Sequence, residues 1–363
     1  MTDHGLQATA RPPRTLPLAL GVVHGVVDAT TIWVLFRGHA IFHTPRDDFF
    51  RLIIAYDLLA FAVQPALGWA LDRLGRLRDG ALAGLGLCFA AVLLLPLNAA
   101  AAVVVGALGN AVFHVGAGGL AIRAAVGRSA PLGLFVAPGA LGVAVGAWAA
   151  QTPIVEAWIV AAYLAGSMVA VWAVASGGAG ALPPPPAKPP VEKPAALAAL
   201  LLVSIAVRSL IGRAGGYEMP TTAMTAFAVA AAAFAGKANG GVWSDRFGWL
   251  ATSVGALLIS APLLAFGGDN AVAIIVGLFI FQMTMPVTLA ATAALVPGRP
   301  AYAFGLASLA YILGALPTYF KAVSVCYNPV IFLALILVSI AALVAGLRPL
   351  RRLVLMKFDD GQA

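Results

Sequence analysis

His24 and Asp28 stand four positions apart in an otherwise apolar run, so in a helix they share a face and can hydrogen-bond. A charge at membrane depth costs about 2.5–3.5 kcal/mol on insertion scales, which makes such a pair a candidate site rather than filler. Histidine and carboxylate together can hold and pass a proton. Asp57, beside Tyr56 in the outer half of the next run, is a second candidate proton site, or a partner for Arg208 further along. In Gly109-Asn110-Ala111-Val112-Phe113-His114-Val115-Gly116, His114 and Asn110 stand among glycines that leave room for a ligand or another helix. Arg208 carries a planar fork that suits a carboxylate or phosphate if it faces the interior; otherwise it snorkels to the interface. Gln64 and Lys237 are expected at inner helix ends, snorkelling or joining a gate.

Positioning these groups requires elements that cross a bilayer. Of 363 residues, 61% are hydrophobic and only 10% charged, with mean hydropathy +0.96. Soluble domains run about 45–50% apolar and about 25% charged. That balance excludes a large soluble domain, a catalytic ectodomain and a DNA-binding module. The formal charge of +8 does not point to nucleic acid, because the Lys and Arg residues fall between hydrophobic runs. Cys88 and Cys326 make neither a disulfide framework nor a zinc spacing. Arg11 and Arg14 precede a run of span length without an A-x-A exit, read as a retained first helix.

Apolar runs of about 20 residues predict twelve transmembrane helices. They are Thr15–Phe36, Phe49–Leu71, Gly80–Leu97, Ala99–Ile122, Ala130–Gln151 and Pro153–Ala175, then Ala195–Arg213, Met219–Gly240, Trp249–Phe266, Asn270–Val296, Pro300–Phe320 and Pro329–Leu347. Residues 1–175 and 195–363 form two six-helix units, and the proline-rich stretch 176–194 between them favours an extended linker. With the N-terminus cytoplasmic, fifteen Lys and Arg fall on that side and six on the other, which places both termini and the linker in the cytoplasm.

Gly68-Trp69-Ala70-Leu71-Asp72-Arg73-Leu74-Gly75 recurs as Gly241-Val242-Trp243-Ser244-Asp245-Arg246-Phe247-Gly248, displaced by 173 residues. Gly133-Leu134 and Leu141-Gly142 recur as Gly305-Leu306 and Leu313-Gly314, displaced by 172. At that offset Asn110 falls on Gln282, and two matches in one register argue for a duplicated unit. In each loop the first glycine lets two helices approach. The aspartate can accept from an orphan amide at a neighbouring helix N-terminus or pair with Arg. Contacts of that kind can form in one state and break in another, so Gly68, Asp72, Arg73, Gly75, Gly241, Asp245, Arg246 and Gly248 are the candidate gate. The first copy is the fuller, with Arg76 and Arg78 following it, and its loss is expected to hurt more.

The repeated G-x-x-x-D-R-x-G loop and the six-linker-six layout resemble the major facilitator superfamily. That resemblance implies an all-α membrane fold of twelve transmembrane helices in two six-helix pseudo-repeats, with a central cavity lined by helices one, four, seven and ten. It implies a secondary transporter for a small-molecule or ion substrate in the inner or plasma membrane, driven by protons and acting as a monomer. Helix five, Phe135-Val136-Ala137-Pro138-Gly139-Ala140-Leu141-Gly142, is similar to the Gly-Pro motif of the superfamily's antiporters and tilts toward export; Gly142 and Gly146 also make a packing G-x-x-x-G. Phe113-His114 is similar to a segment of fosmidomycin-resistance-type members. The candidate proton and substrate residues are therefore His24, Asp28, Asp57, Asn110, His114, Arg208 and Gln282. No enzyme or nucleotide motif is present, and no cofactor or resident metal is expected. Two alternatives stay open. One is a transition-metal importer, for copper for example, using Met219, Met224, Met283, Met285, His114 and Cys326. The other is a transporter-like sensor or assembly factor without turnover.

Overall fold

The computed structural model describes residues 15–125, 127–178, 191–214, 222–320 and 328–350. Arg11, Arg14, most of the proline linker, Glu218, Met219, Lys321, Cys326 and the basic tail after residue 350 lie outside them. The described residues form twelve helical units: α1 Thr15–Phe42, α2 Arg46–Leu74, α3 Leu77–Leu94, α4 Ala99–Ala125, α5 Ala130–Ala150, α6 Ala157–Gly178, α7 Pro194–Ala214, α8 Ala223–Phe247, α9 Trp249–Ala265, α10 Ala271–Leu295, α11 Pro300–Tyr319 and α12 Pro329–Leu347. Ten of these units are long and apolar enough to cross a membrane; the two that fall short are α8 and α9.

Several helices run beyond the apolar stretch that announces them. Helix α8 continues through Gly240, Gly241 and Asp245 to Phe247, and α2 runs to Leu74, so both repeated motifs are helix ends rather than loops. Polar residues can extend a helix past the hydrocarbon, and what stops these two is a backbone turn: Gly75 has φ +67° and Gly248 φ +92°, both in the region that favours glycine. Helix α6 starts at Ala157, four residues later than the apolar pattern places it, because Gln151 to Glu156 turn instead.

Two helices break in mid-course, each next to a proline. In α2 a π turn, Leu58–Ala62, precedes Pro65. In π register the Ala60 carbonyl would face the missing N–H of Pro65, and the buried Gln64 side chain donates to it instead at 2.7 Å. In α10 the helix breaks at Met283 and Thr284 before Pro286.

The repeat seen in the sequence recurs as packing. A Cβ on Gly142 would lie 2.2 Å from the Gly25 carbonyl oxygen of α1, and one on its counterpart Gly314 would lie 1.9 Å from that of Ala206 on α7. A Cβ on Gly133 would meet the Lys237 carbonyl of α8 at 2.6 Å, and one on Gly305 that of Gln64 of α2 at 2.6 Å. Each displaced pair therefore makes the same close approach in its own half or between halves. Glycine permits backbones to touch where no hydrophobic force drives helices together. Gly142→Leu should force α1 and α5 apart, at about 1–3 kcal/mol by analogy with overpacked cores. A lowered melting temperature in detergent, against an unchanged value for exposed Val143→Leu, checks this. Large apolar side chains such as Val22, Leu93, Val169, Trp172, Val203 and Ile259 point outward, as a lipid-facing surface requires.

Candidate functional site

The crossing of α1 with α4 and α5 brings three titratable side chains together. His24 Nε2 lies 3.2 Å from Asp28 Oδ2, His114 Nε2 lies 3.6 Å from Asp28 Oδ1, and the two Nε2 atoms are 2.8 Å apart. His24 and His114 are buried, and the Asp28 side chain keeps 14% of its surface exposed. The i, i+4 spacing of His24 and Asp28 acts as the sequence suggests, but its partner is His114, ninety residues away and not tied to the pair by any local pattern. Asn110 Nδ2 donates to Asp28 Oδ1 at 2.9 Å and reaches Thr31 Oγ1 and Tyr56 Oη at 3.4 Å, while the Thr31 and Tyr56 hydroxyls bond each other at 2.8 Å.

The ring tautomers follow from their partners. His24 Nδ1 faces the Phe135 carbonyl at 2.9 Å and His114 Nδ1 faces the Asn110 carbonyl at 2.8 Å. A carbonyl only accepts, so both Nδ1 atoms carry hydrogen, and a neutral imidazole then presents a lone pair at Nε2. Two such lone pairs at 2.8 Å beside a carboxylate repel one another unless a positive charge lies among them. Asn110 Oδ1, also buried, has no hydrogen-bond partner among the described residues, which adds a further acceptor. The cluster is rich in electron pairs and short of a cation. Lys237 is half-buried on α8, at the point where its backbone carbonyl meets Gly133 of α5.

Aromatic rings close over these nitrogens: Phe135 at 5.0 Å from the His24 ring, and Phe304 and Phe61 at 6.1 and 6.4 Å from that of His114. Phe304 belongs to α11, in the other half, and sits against Gly118, where a Cβ would meet its ring at 2.5 Å. Part of the cover of the cluster is therefore contributed by α11, from the other half.

The second half has its own polar centre between α7 and α10. Arg208 is buried and donates to the Ser204 carbonyl at 3.2 Å, to Thr288 Oγ1 at 2.9 Å and to the Thr284 hydroxyl. It faces inward rather than snorkelling, and its fork bonds the threonines at and just after the break in α10. Asp57 accepts instead from the Tyr319 hydroxyl of α11, so the structure gives Asp57 and Arg208 different partners. Gln282 is half-buried with its Cβ against the α8 backbone at Gly236, and Asn110 is fully buried. A lysine cannot bond both threonines as the fork does. Arg208→Lys is expected to cost about 1–3 kcal/mol, read as a lower melting temperature, with Thr288→Ser close to wild type.

At the motif end the two aspartates do matching work. Asp72 Oδ1 and Oδ2 accept from the backbone N–H groups of Ala301 and Tyr302, at 3.1 and 2.8 Å, at the N-terminus of α11. Asp245 accepts from Ser129 N at 2.8 Å, Ala130 N at 3.0 Å and Ser129 Oγ at 2.6 Å at the start of α5, and Arg128 lies 3.4 Å away. Ser129 and Ala130 stand 172 residues before Ala301 and Tyr302, so donors and acceptors keep the repeat register. A carboxylate there satisfies orphan amides and the positive end of the helix dipole. Gly68 and Gly241 let the helices close: a Cβ on either would come within 2.4 Å of the Ala301 carbonyl or 2.7 Å of that of Ser129. Arg73 and Arg246 are exposed and stack on Trp69 and Phe247 rather than pairing with the aspartates. The fuller motif of the first half does not carry the denser contact, since the second copy has the buried aspartate and more partners.

Some of these contributors had no sequence signal strong enough to name them. Thr31, Phe304 and Tyr319 each act across a helix interface. Ser129 was findable from the repeat register, and Thr284 and Thr288 from their i, i+4 spacing.

No family model and no curated protein matches the sequence. Solved structures do match. The E. coli fucose:proton symporter is 14% identical, with TM-score 0.64 over 92% of this chain and 97% of that one. The human organic anion transporter is 14% identical, with TM-score 0.68 over 92% and 100%. A bacterial homologue of the iron transporter ferroportin, in an outward-facing state, is 16% identical, with TM-score 0.60 over 96% and 99%. The likeness is one of architecture: the chain has the major facilitator superfamily fold, twelve helices in two six-helix pseudo-repeats.

Proposed function

We propose that this chain is a proton-coupled secondary transporter that moves a small solute by alternating access. The observation that carries the reading is the buried His24–Asp28–His114 cluster, whose hydrogen bonds require one positive charge among three side chains. A proton shared by the two Nε2 atoms supplies it. Because Phe304 covers the cluster from α11, and Asp72 holds the start of that same helix, rearranging α11 exposes the proton site and opens the gate in one movement. Asn110 and Tyr56 orient the carboxylate. Arg208 and Gln282 flank the solute path from the second half, and Asp57 with Tyr319 holds the halves together at the end opposite the gate.

The Lys and Arg bias supports cytoplasmic termini, with the proline linker and gate on the cytoplasmic side of the inner or plasma membrane. It also supports residues 1–175 and 195–363 as the two moving bodies. Helix five supports export. The functional test is an untargeted solute screen in proteoliposomes under an imposed pH gradient. The expected result is at least one solute that accumulates only with the gradient and whose movement carries protons. Equilibration of the same solutes to a ratio of one, irrespective of the gradient, would replace this reading with a uniporter.

A further inference from the structure

We infer that the His24–Asp28–His114 centre is a binding site for one divalent transition-metal ion, and that such an ion belongs to the substrate class of this chain. The substrate part rests on the transporter reading; the binding part does not. His24 Nε2, His114 Nε2 and the Asp28 carboxylate offer three ligand atoms within 4.8 Å of one another. The two Nε2 atoms are 2.8 Å apart, and each faces its own oxygen of the Asp28 carboxylate, His24 Nε2 at 3.2 Å from Oδ2 and His114 Nε2 at 3.6 Å from Oδ1. For metal–ligand bonds of about 2.0–2.2 Å, donors around a tetrahedral ion stand roughly 3.3–3.6 Å apart, so both nitrogen–oxygen separations suit one ion held by the carboxylate, and the nitrogen pair would part by a few tenths of an ångström on binding it. A fourth position is left for water or a further donor.

Two independent features point the same way. Both imidazoles donate their Nδ1–H to backbone carbonyls, of Phe135 and Asn110, which fixes the rings with Nε2 lone pairs converging, and Asn110 holds the carboxylate from outside. That is the outer shell a histidine–carboxylate metal site needs. Asn110 Oδ1, an orphan acceptor at the same spot, deepens the deficit of positive charge. Two imidazoles and a carboxylate suit Zn²⁺, Co²⁺, Ni²⁺, Fe²⁺ or Mn²⁺ rather than Cu⁺, which prefers thiolate and thioether donors. Of the soft donors considered in the sequence, Met224 is exposed on α8 and Met283 packs at the α8–α10 contact, while Met219 and Cys326 lie outside the described residues.

The site also supplies a test that leaves every ligand in place. A Cβ on Gly139 of α5 would lie 2.5 Å from His24 Nε2 and 2.6 Å from Asp28 Oδ2, inside the space the ion would use. Full-length protein in nanodiscs, without an affinity tag, is titrated with Co²⁺ and followed by its visible ligand-field absorption. Wild type should bind one equivalent with the intense bands of low-coordinate Co²⁺. Affinity should fall at least 100-fold in His114→Ala and at least 10-fold in Gly139→Ala, with His43→Ala, an exposed histidine, unchanged. Absence of saturable binding to wild type, or equal binding by wild type and the His114 and Gly139 variants, overturns the site whether or not the variants fold well. Zn²⁺ entry into dye-loaded proteoliposomes completes the test. Binding without flux overturns the substrate assignment alone, and proton-driven transport of another solute without any Co²⁺ binding leaves the transporter reading standing and removes this one.

Discussion

Asp28→Asn should abolish uphill accumulation while leaving downhill exchange of the solute measurable. The amide preserves the shape of the side chain and can still take part in hydrogen bonding with Asn110, but it cannot titrate and adds no negative charge to the two imidazoles. A gradient of one pH unit is worth about 1.4 kcal/mol per proton, so a one-to-one coupled carrier should concentrate its solute roughly tenfold. In Asp28→Asn the ratio should fall to one. His24→Gln should behave likewise, whereas Asp57→Asn, which keeps a partner for the Tyr319 hydroxyl, should retain coupling. If Asp28→Asn and wild type reach the same accumulation with the same pH dependence, coupling resides elsewhere.

The gate variants carry the second large effect. Asp245 is buried and gathers two backbone amides and a serine hydroxyl, with Arg128 close by; Asp72 is half-buried and gathers two amides. Hydrogen bonds to a charged group contribute about 1.5–3 kcal/mol each, and water replaces part of this when the gate opens. Losing Asp245 should therefore shift the equilibrium toward the gate-open state by about 3 kcal/mol, roughly a hundredfold. Losing Asp72 should shift it by less, the reverse of the order that motif completeness suggests. Spin labels at exposed Leu74 and Phe247, one in each half at the gate end, report this by double electron–electron resonance in a background without native cysteine. Wild type should populate the short distance, Asp72→Ala a mixture and Asp245→Ala mainly the long one. Identical distributions in all three would make these aspartates ordinary helix caps.

Much of this fold is legible from the sequence for a physical reason. Hydrocarbon demands long apolar runs, and a duplicated unit repeats its close-packing glycines, so Gly133 with Gly305 and Gly142 with Gly314 reveal the register in the sequence itself. The helix ends were less legible: Asp245 looks like a loop residue by polarity, yet it is helical, because only the positive φ of Gly248 ends α8. The candidate site was half legible. His24 and Asp28 are visible because four-residue spacing is local, and Asn110 with His114 for the same reason. That the two pairs form one cluster depends on where α1 crosses α4, which no local pattern encodes. For Arg208, the i, i+4 spacing of Thr284 and Thr288 marks a shared polar face on α10, but that this face meets α7 depends on helix packing that no local pattern encodes.

Both functional readings depend on where the hydrogens of the two imidazoles lie, and nitrogen-15 NMR of histidine-labelled protein reads that placement directly. In metal-free protein at neutral pH, the His24 and His114 resonances should show both Nδ1 atoms protonated and one proton shared between the Nε2 pair, with Asp28→Asn altering the Nε2 signals and leaving the Nδ1 signals in place. Two neutral rings each protonated at Nε2, with bare Nδ1 atoms, would contradict the account, because the lone pairs would then face the Phe135 and Asn110 carbonyls and no cation would be needed at the centre.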